Sequence, residues 1–368
     1  MPERASRRRH PYAGQPDRQF WRKEPGLNDM ARFDPVGATS FDIERDDKVV
    51  TAGSCFAQHV ARFLANAGFN FLVTETPHPL LSDKIAADLN YGLFSARYGN
   101  VYSTRQLRQL LERAYGTFAP IVGAWRRPDG RWADPFRPQI LPGGYVSPLE
   151  VEHDRELHLA AVRRAIEEMS VFVFTLGLTE TWTDRRDGAA YPLAPGVAAG
   201  DYDEDIHCFV NLDVGQVAED LQWSLDFIRS RNPGVKFILT VSPVPLNATA
   251  IDRHVAVSTA YSKAVLRVAA EQVTAANALC DYFPSYEIIT SSFTRSTYYA
   301  DDLREIRSEG VKHVMSLFLK HYAGASGDAQ PSVPQARAST PDITRERTRK
   351  SEALMQVLCD EEAIDNAL

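Results

Sequence analysis

The stretch Val49-Val50-Thr51-Ala52-Gly53-Ser54-Cys55-Phe56-Ala57 decides how this chain reads. An apolar-periodic run from His59 to Ala67 follows it and stops at Gly68, after which Phe69-Asn70-Phe71-Leu72-Val73 has the composition of a second short strand. The order is therefore strand, tight turn, helix, strand. Gly53 can take the backbone conformation that a sharp strand-to-helix turn needs, which leaves Ser54 at the tip of the turn and the start of the helix. Unpaired N–H groups and the positive helix end favour a developing negative charge at that point, so Ser54 stands where a nucleophile would work. The same letters also suit an ordinary N-cap, in which Ser54 does no more than accept a backbone N–H.

Outward from this unit, strands and helices alternate. Residues 82–90 and 104–115 have helical patterns, the second with Thr104 as its expected cap. Leu149 to Met169 is a long amphipathic helix, and Val171-Phe172-Val173-Phe174-Thr175-Leu176-Gly177 is a continuous apolar run of the kind buried in parallel sheets. Val214 to Arg231 reads as a helix, Lys236 to Val241 as a buried strand, His254 to Asn277 as a helix and Leu279 to Phe283 as a further strand. Glu309 to Tyr322 is the last core helix. Such alternation predicts a parallel sheet covered on both faces. Two stretches interrupt it as insertions: Phe118 to Val146, with a hairpin expected around Asp129-Gly130, and the irregular Thr183 to Asn211.

The chain has 368 residues, 44% hydrophobic and 24% charged, with a net charge of −7, which suits a soluble globular protein and suggests neither a nucleic-acid surface nor a polybasic membrane patch. Arg4, Arg7, Arg8, Arg9 and His10 make a basic N-terminus with no apolar run behind it, so a secretory signal is not expected. No stretch approaches the roughly eighteen apolar residues of a membrane span. Cys55, Cys208, Cys280 and Cys359 lack metal-ligand spacing, which predicts a reduced, cytoplasmic protein without a zinc site or other cofactor. Residues 1–40 read as an arm with Phe20 and Trp21 as anchors, 41–322 as the main domain, and 323–368 as a flexible linker with a short helix from about Arg347 to Cys359.

Gly53-Ser54-Cys55-Phe56-Ala57 matches letter for letter the residues that name the bacterial GSCFA domain family, and the resemblance runs from about Val49 to Phe318. That family resembles a divergent branch of the SGNH/GDSL ester hydrolases. The resemblance implies a flavodoxin-like three-layer α/β/α sandwich with a mainly parallel sheet, and Ser54 as the nucleophile. Gly99 matches the glycine of the second SGNH block, whose N–H serves the oxyanion, with Asn100 beside it as a possible amide donor. Gly177-Leu178-Thr179-Glu180 resembles the third block, Gly-x-Asn-Asp, with Thr179 in place of the asparagine and Glu180 in place of the aspartate. The last block, Asp-x-x-His, is represented by Asp302-Leu303-Arg304-Glu305, so Glu305 stands where the histidine belongs.

Two readings follow from that departure. In one, another histidine serves as base, His313 before His254, with Asp302 as its acid, and the protein hydrolyses or transfers an acyl group on a glycan or other small polar ester. In the other the triad is lost, and the scaffold binds an anion or glycan at the Ser54 helix end. His59 reads as a packing or capping residue. Cys55 is an alternative nucleophile or a small buried side chain. Tyr98, Tyr102, Trp125, Trp132 and Trp182 are expected in loops near the site, either facing sugar rings or filling the insertions.

Overall fold

A computed structural model describes residues 10–323 and 359–367. Its central sheet has four parallel strands, β1 (Val49–Gly53), β4 (Val171–Leu176), β8 (Lys236–Val241) and β9 (Cys280–Tyr282), in the spatial order β1-β4-β8-β9. The second strand expected from the sequence is reduced to one parallel bridge, Val49 to Phe71, on the free side of β1. Leu72 N–H donates to the Val49 carbonyl at 2.9 Å, and Val49 N–H donates to the Asn70 carbonyl at 2.9 Å. Counting that bridge, the sheet has the flavodoxin-like order, second strand, first, third, fourth, fifth.

Alternate residues of each strand enter opposite cores, as a two-sided sheet requires. Val50, Ala52, Phe172, Phe174, Phe237 and Leu239 face the layer formed by α3 (Thr104–Ala114), α4 (Pro148–Glu168), α5 (Val214–Arg231) and α6 (Val255–Ala276). Val49, Val171, Val173 and Ile238 face α1 (Phe56–Asn66), α7 (Ser285–Thr290) and α8 (Ser308–Tyr322). The result is a three-layer α/β/α sandwich. A short α2 (Asp83–Asp88) precedes the loop that carries Gly99.

Local rules account for most boundaries. The cap of α3 is Ser103 rather than Thr104: the Ser103 hydroxyl accepts Gln106 N–H at 3.2 Å, and the Gln106 side chain accepts Ser103 N–H at 2.9 Å in a capping box. The first insertion forms the expected hairpin, β2 (Trp125–Arg126) with β3 (Trp132–Ala133). The second is not irregular. It builds a three-stranded antiparallel sheet from β5 (Glu180–Asp184), β6 (Ala190–Tyr191) and β7 (His207–Asn211), because cross-strand pairing satisfies backbone groups that a buried loop would strand.

The N-terminal residues from Asp17 run as successive 3₁₀ turns, with Trp21 and Phe33 against Phe293 at ring-centroid distances of 4.4 and 4.9 Å. Of the anticipated linker and C-terminal helix, residues 324–358 and 368 fall outside the described residues; Ala323 bridges Ile43. After Cys359 the chain forms a short helix, α9 (Glu362–Ala367). Among the described residues no helix is long and apolar enough to cross a membrane.

Candidate active site

Ser54 lies at the carboxyl end of β1, where ligands bind in open parallel sheets. Gly53 holds φ +137°, and a Cβ there would lie 2.2 Å from the Thr175 carbonyl oxygen of the neighbouring strand. Only glycine lets β1 come this close to β4 before turning into α1. Gly177 has a parallel role: a Cβ on it would lie 3.0 Å from both the Ser54 Cβ and the Tyr102 carbonyl oxygen. Two glycines thus clear the space that Ser54 occupies.

The capping alternative for Ser54 is not what the backbone builds. Cys55 is the N-cap of α1, with no side-chain capping bond. Ser54 N–H donates to the Thr175 carbonyl at 3.1 Å, while its Oγ is buried with no hydrogen-bond partner among the described residues. A buried hydroxyl without a partner is costly, and among the described residues Ser54 shares that condition with Thr104, Thr175 and Tyr191.

The residues expected to assist Ser54 fall into two groups. Asn100 follows the left-handed turn at Gly99 (φ +70°), with Gln58 Nε2 donating to Asn100 Oδ1 at 3.0 Å and the Asn100 amide Nδ2 donating to the Asp360 carboxylate at 2.9 Å. Gly177 shapes the floor, but its N–H is engaged by the Tyr102 carbonyl at 2.9 Å. Thr179 is committed elsewhere: its N–H donates to Ser262 Oγ at 3.1 Å and its hydroxyl to Asn211 Oδ1 at 2.6 Å, so neither faces an oxyanion. Glu180 opens β5 and accepts from the Thr249 hydroxyl at 2.7 Å.

No histidine is bonded to Ser54. His313 Nδ1 meets the Tyr298 hydroxyl at 2.7 Å on the α8 side, and burial lowers its pKa despite the Phe33 backbone and the Asp34 charge nearby. His254 is exposed and caps α6, its Nδ1 accepting Ala256 N–H at 3.1 Å. Asp302 is exposed and accepts the Arg304 and Glu305 N–H groups at 3.0 Å each, an Asx turn with no histidine in it. His59 packs edge-on against Phe56, and burial, with Arg62 nearby, lowers its pKa to about 4.

Two cations that sequence reasoning passed over occupy the vacated ground. Lys263, from the middle of α6, is 1% exposed and donates to the Gly177 carbonyl at 2.8 Å; burial lowers its pKa to about 8. Arg304, from the block where the histidine was expected, turns inward; burial alone would lower its pKa, but Glu361 and the Cys359 and Cys55 thiols together more than offset that and raise it. A lysine in the third turn of a largely apolar helix was the available signal, since Lys is almost never fully buried unless paired. Of the five aromatic residues, Tyr102 alone borders this ground. Tyr98 is buried with its hydroxyl on the Thr51 carbonyl, Trp125 packs on Tyr191, Trp132 pairs with Tyr145, and Trp182 lies between Tyr202 and Phe209.

A three-layer α/β/α protein with a buried serine on its first strand-to-helix turn is the class that fold and site define. The chain belongs to the GSCFA family, whose model matches residues 48–318. No curated protein sequence matches it. Among solved structures it is similar to a Clostridium thermocellum family 3 carbohydrate esterase, at 12% identity and a TM-score of 0.33, over 75% of this chain and 94% of that one.

Proposed function

We propose that the protein is a serine-dependent ester hydrolase or O-acyltransferase of the SGNH type, acting on an acylated glycan or another small polar ester. The observation that carries this reading is the Ser54 hydroxyl, buried and without a partner at a turn that two glycines open for it. In this reading Ser54 Oγ attacks the acyl carbonyl and the Asn100 amide donors take the oxyanion. A serine needs a base to yield its proton. We assign that role to Lys263, whose Nζ donates to the carbonyl of Gly177, the residue that packs against Ser54, and whose lowered pKa leaves a usable fraction of neutral amine near pH 7. The amine takes the Ser54 proton and returns it to the departing alkoxide, after which water or a second alcohol releases the acyl group.

A fluorophosphonate probe read by intact mass tests this. Labelling is expected at Ser54, absent from Ser54→Ala, slowed about 100-fold or more in Lys263→Met, and unchanged in His313→Ala and His254→Ala. Loss of labelling in either histidine variant, with Lys263→Met reacting normally, would return the base to histidine.

The second reading, a non-catalytic anion-binding module, is favoured by the two cations that flank the turn. It predicts that no variant labels, and that a small reactive ester also goes untouched.

A further inference from the structure

The described C-terminal residues bear on the same site. Cys359, Asp360 and Glu361 are 5%, 3% and 6% exposed, although they lie beyond the region matched by the family. They touch the loops that surround Ser54. The Asp360 carboxylate accepts from Asn100 Nδ2 at 2.9 Å and also from the Asn100 backbone, while Asp360 N–H donates to the Tyr102 hydroxyl at 3.0 Å. Glu361 Oε2 accepts from Arg304 Nη2 at 3.1 Å, and Asn247 clamps the same residue, its N–H on Oε1 at 3.3 Å and its Nδ2 on the carbonyl at 3.0 Å. The Cys359 thiol lies between the Cys55 thiol and Arg304.

Two carboxylates are poor core material, because burial penalises their charge unless donors wait for them. Here the donors are those assigned to catalysis or left by the missing histidine: the Asn100 amide, Arg304 and the field of Lys263. A segment that satisfies these groups denies them to anything else. We propose that Cys359-Asp360-Glu361 is an autoinhibitory plug that holds the place of an anionic ligand, and that a carboxylate-bearing ligand must displace it to reach Ser54. The docking stands on the contacts alone; the inhibition rests on the ester-chemistry reading. Burial lowers the Lys263 pKa, and the docked Glu361 offsets part of that lowering.

The facing thiols give a test on the full chain that needs no turnover. With oxidised glutathione, the Cys359 thiolate attacks one glutathione sulfur and releases a glutathione thiolate. Cys55 then attacks the Cys359 sulfur of the mixed disulfide and releases the second; the two thiol protons end on the two reduced glutathiones. Intact mass reads the loss of two hydrogens, and non-reducing peptide mapping places the bridge. At equilibrium with a buffer of oxidised and reduced glutathione, a Cys55–Cys359 bridge is expected in the native chain, with the ratio of bridged to reduced protein about tenfold or more lower in the full-length Asp360→Lys/Glu361→Lys chain, since docking supplies the effective concentration. Glutarate is expected to lower that ratio several-fold in the native chain, and sodium chloride at equal ionic strength is not.

Ser54 is expected to react with fluorophosphonate about tenfold faster in the double variant than in the native chain. No bridge in the native chain, or equal bridging in both chains, overturns the plug. Indifference to glutarate overturns the anionic ligand. Bridging with equal Ser54 labelling in both chains overturns the inhibition. Bridging with no labelling in either chain keeps the docked plug while the ester reading falls.

Discussion

The cluster beside α4 and the Ser54 turn both bury charge, and they do it in different ways. Beside α4, Arg137 binds Asp134 and Asp154 at 2.9 and 2.8 Å, Arg97 reaches Glu75 and Asp154 at 3.4 and 3.3 Å, and His158 meets Glu75 at 2.8 Å. Every partner there belongs to the folded domain. Arg97 precedes Gly99 and Asn100 by only two or three residues, so this cluster anchors the loop that presents Asn100 to Ser54. At the site itself, Arg304 and Lys263 look instead to Glu361, a residue supplied by a separate C-terminal segment. The first arrangement fixes a shape, whereas the second leaves charge that another ligand can claim.

Breaking one partner in each region should therefore cost very different amounts. Arg137→Met takes a partner from the buried Asp134, which keeps Arg155, and from the half-buried Asp154, which keeps Arg97 and Tyr145, and is expected to remove about 3 kcal/mol of stability in urea unfolding. A loss near that of a surface substitution would show that the cluster is wetter than its burial implies. Arg304→Met frees Glu361 to leave for water, and about 1 kcal/mol or less is expected in the same assay, together with a lower extent of Cys55–Cys359 bridging at equilibrium with glutathione. Equal losses in the two variants would erase the distinction between anchored and removable charge.

Acid should sharpen the contrast further, because the two regions respond with opposite sign. Burial alone would raise the Glu75 pKa, but the His158 hydrogen bond and the field of Arg137 more than offset it and hold the value at about 2 against an ordinary 4.5. Its contribution is complete above pH 4.5 and is lost as pH falls toward 2. His158, lowered to about 4 mainly by burial, loses stability in the same direction as it protonates. Asp360 is pushed up to about 6 from 3.8, chiefly by burial and despite the Asn100 hydrogen bonds, with Glu361 and Glu362 adding to the rise. Its docking is favoured most below pH 3.8 and weakens as pH rises through 6. Stability from pH 5 to 2 should fall while Cys359 alkylation, corrected for thiolate fraction, should become slower from pH 7 to 5. Alkylation that speeds up on acidification would contradict the docked geometry.

The strand-to-helix turn at Gly53 was legible because it rests on short-range rules: an apolar run, a glycine, then a 3.6-residue period. The long helices and buried strands were legible for the same reason, and Val214–Arg231 and Lys236–Val241 have the bounds their patterns predict. The sheet of β5, β6 and β7 was not, because Thr183 to Asn211 carries turn residues and short pairs whose register is set only across the strands. The site was half legible. Ser54, Gly99 and Asn100 sit on local turns, whereas Lys263 enters from a helix surface about two hundred residues away, and helix periodicity does not say which sheet end a side chain reaches.

By itself, the sequence determined the layered α/β architecture, the glycine-dependent serine turn and the family, since hydrophobic period and backbone freedom are properties of neighbouring residues. Only the tertiary structure decided what surrounds the serine. It withheld the histidines, committed Thr179 to Asn211, and set Lys263, Arg304 and the distant Asp360-Glu361 pair around one turn. Charge and hydrogen bonding act through space over a few ångströms, so their partners are chosen by the fold rather than by position in the chain.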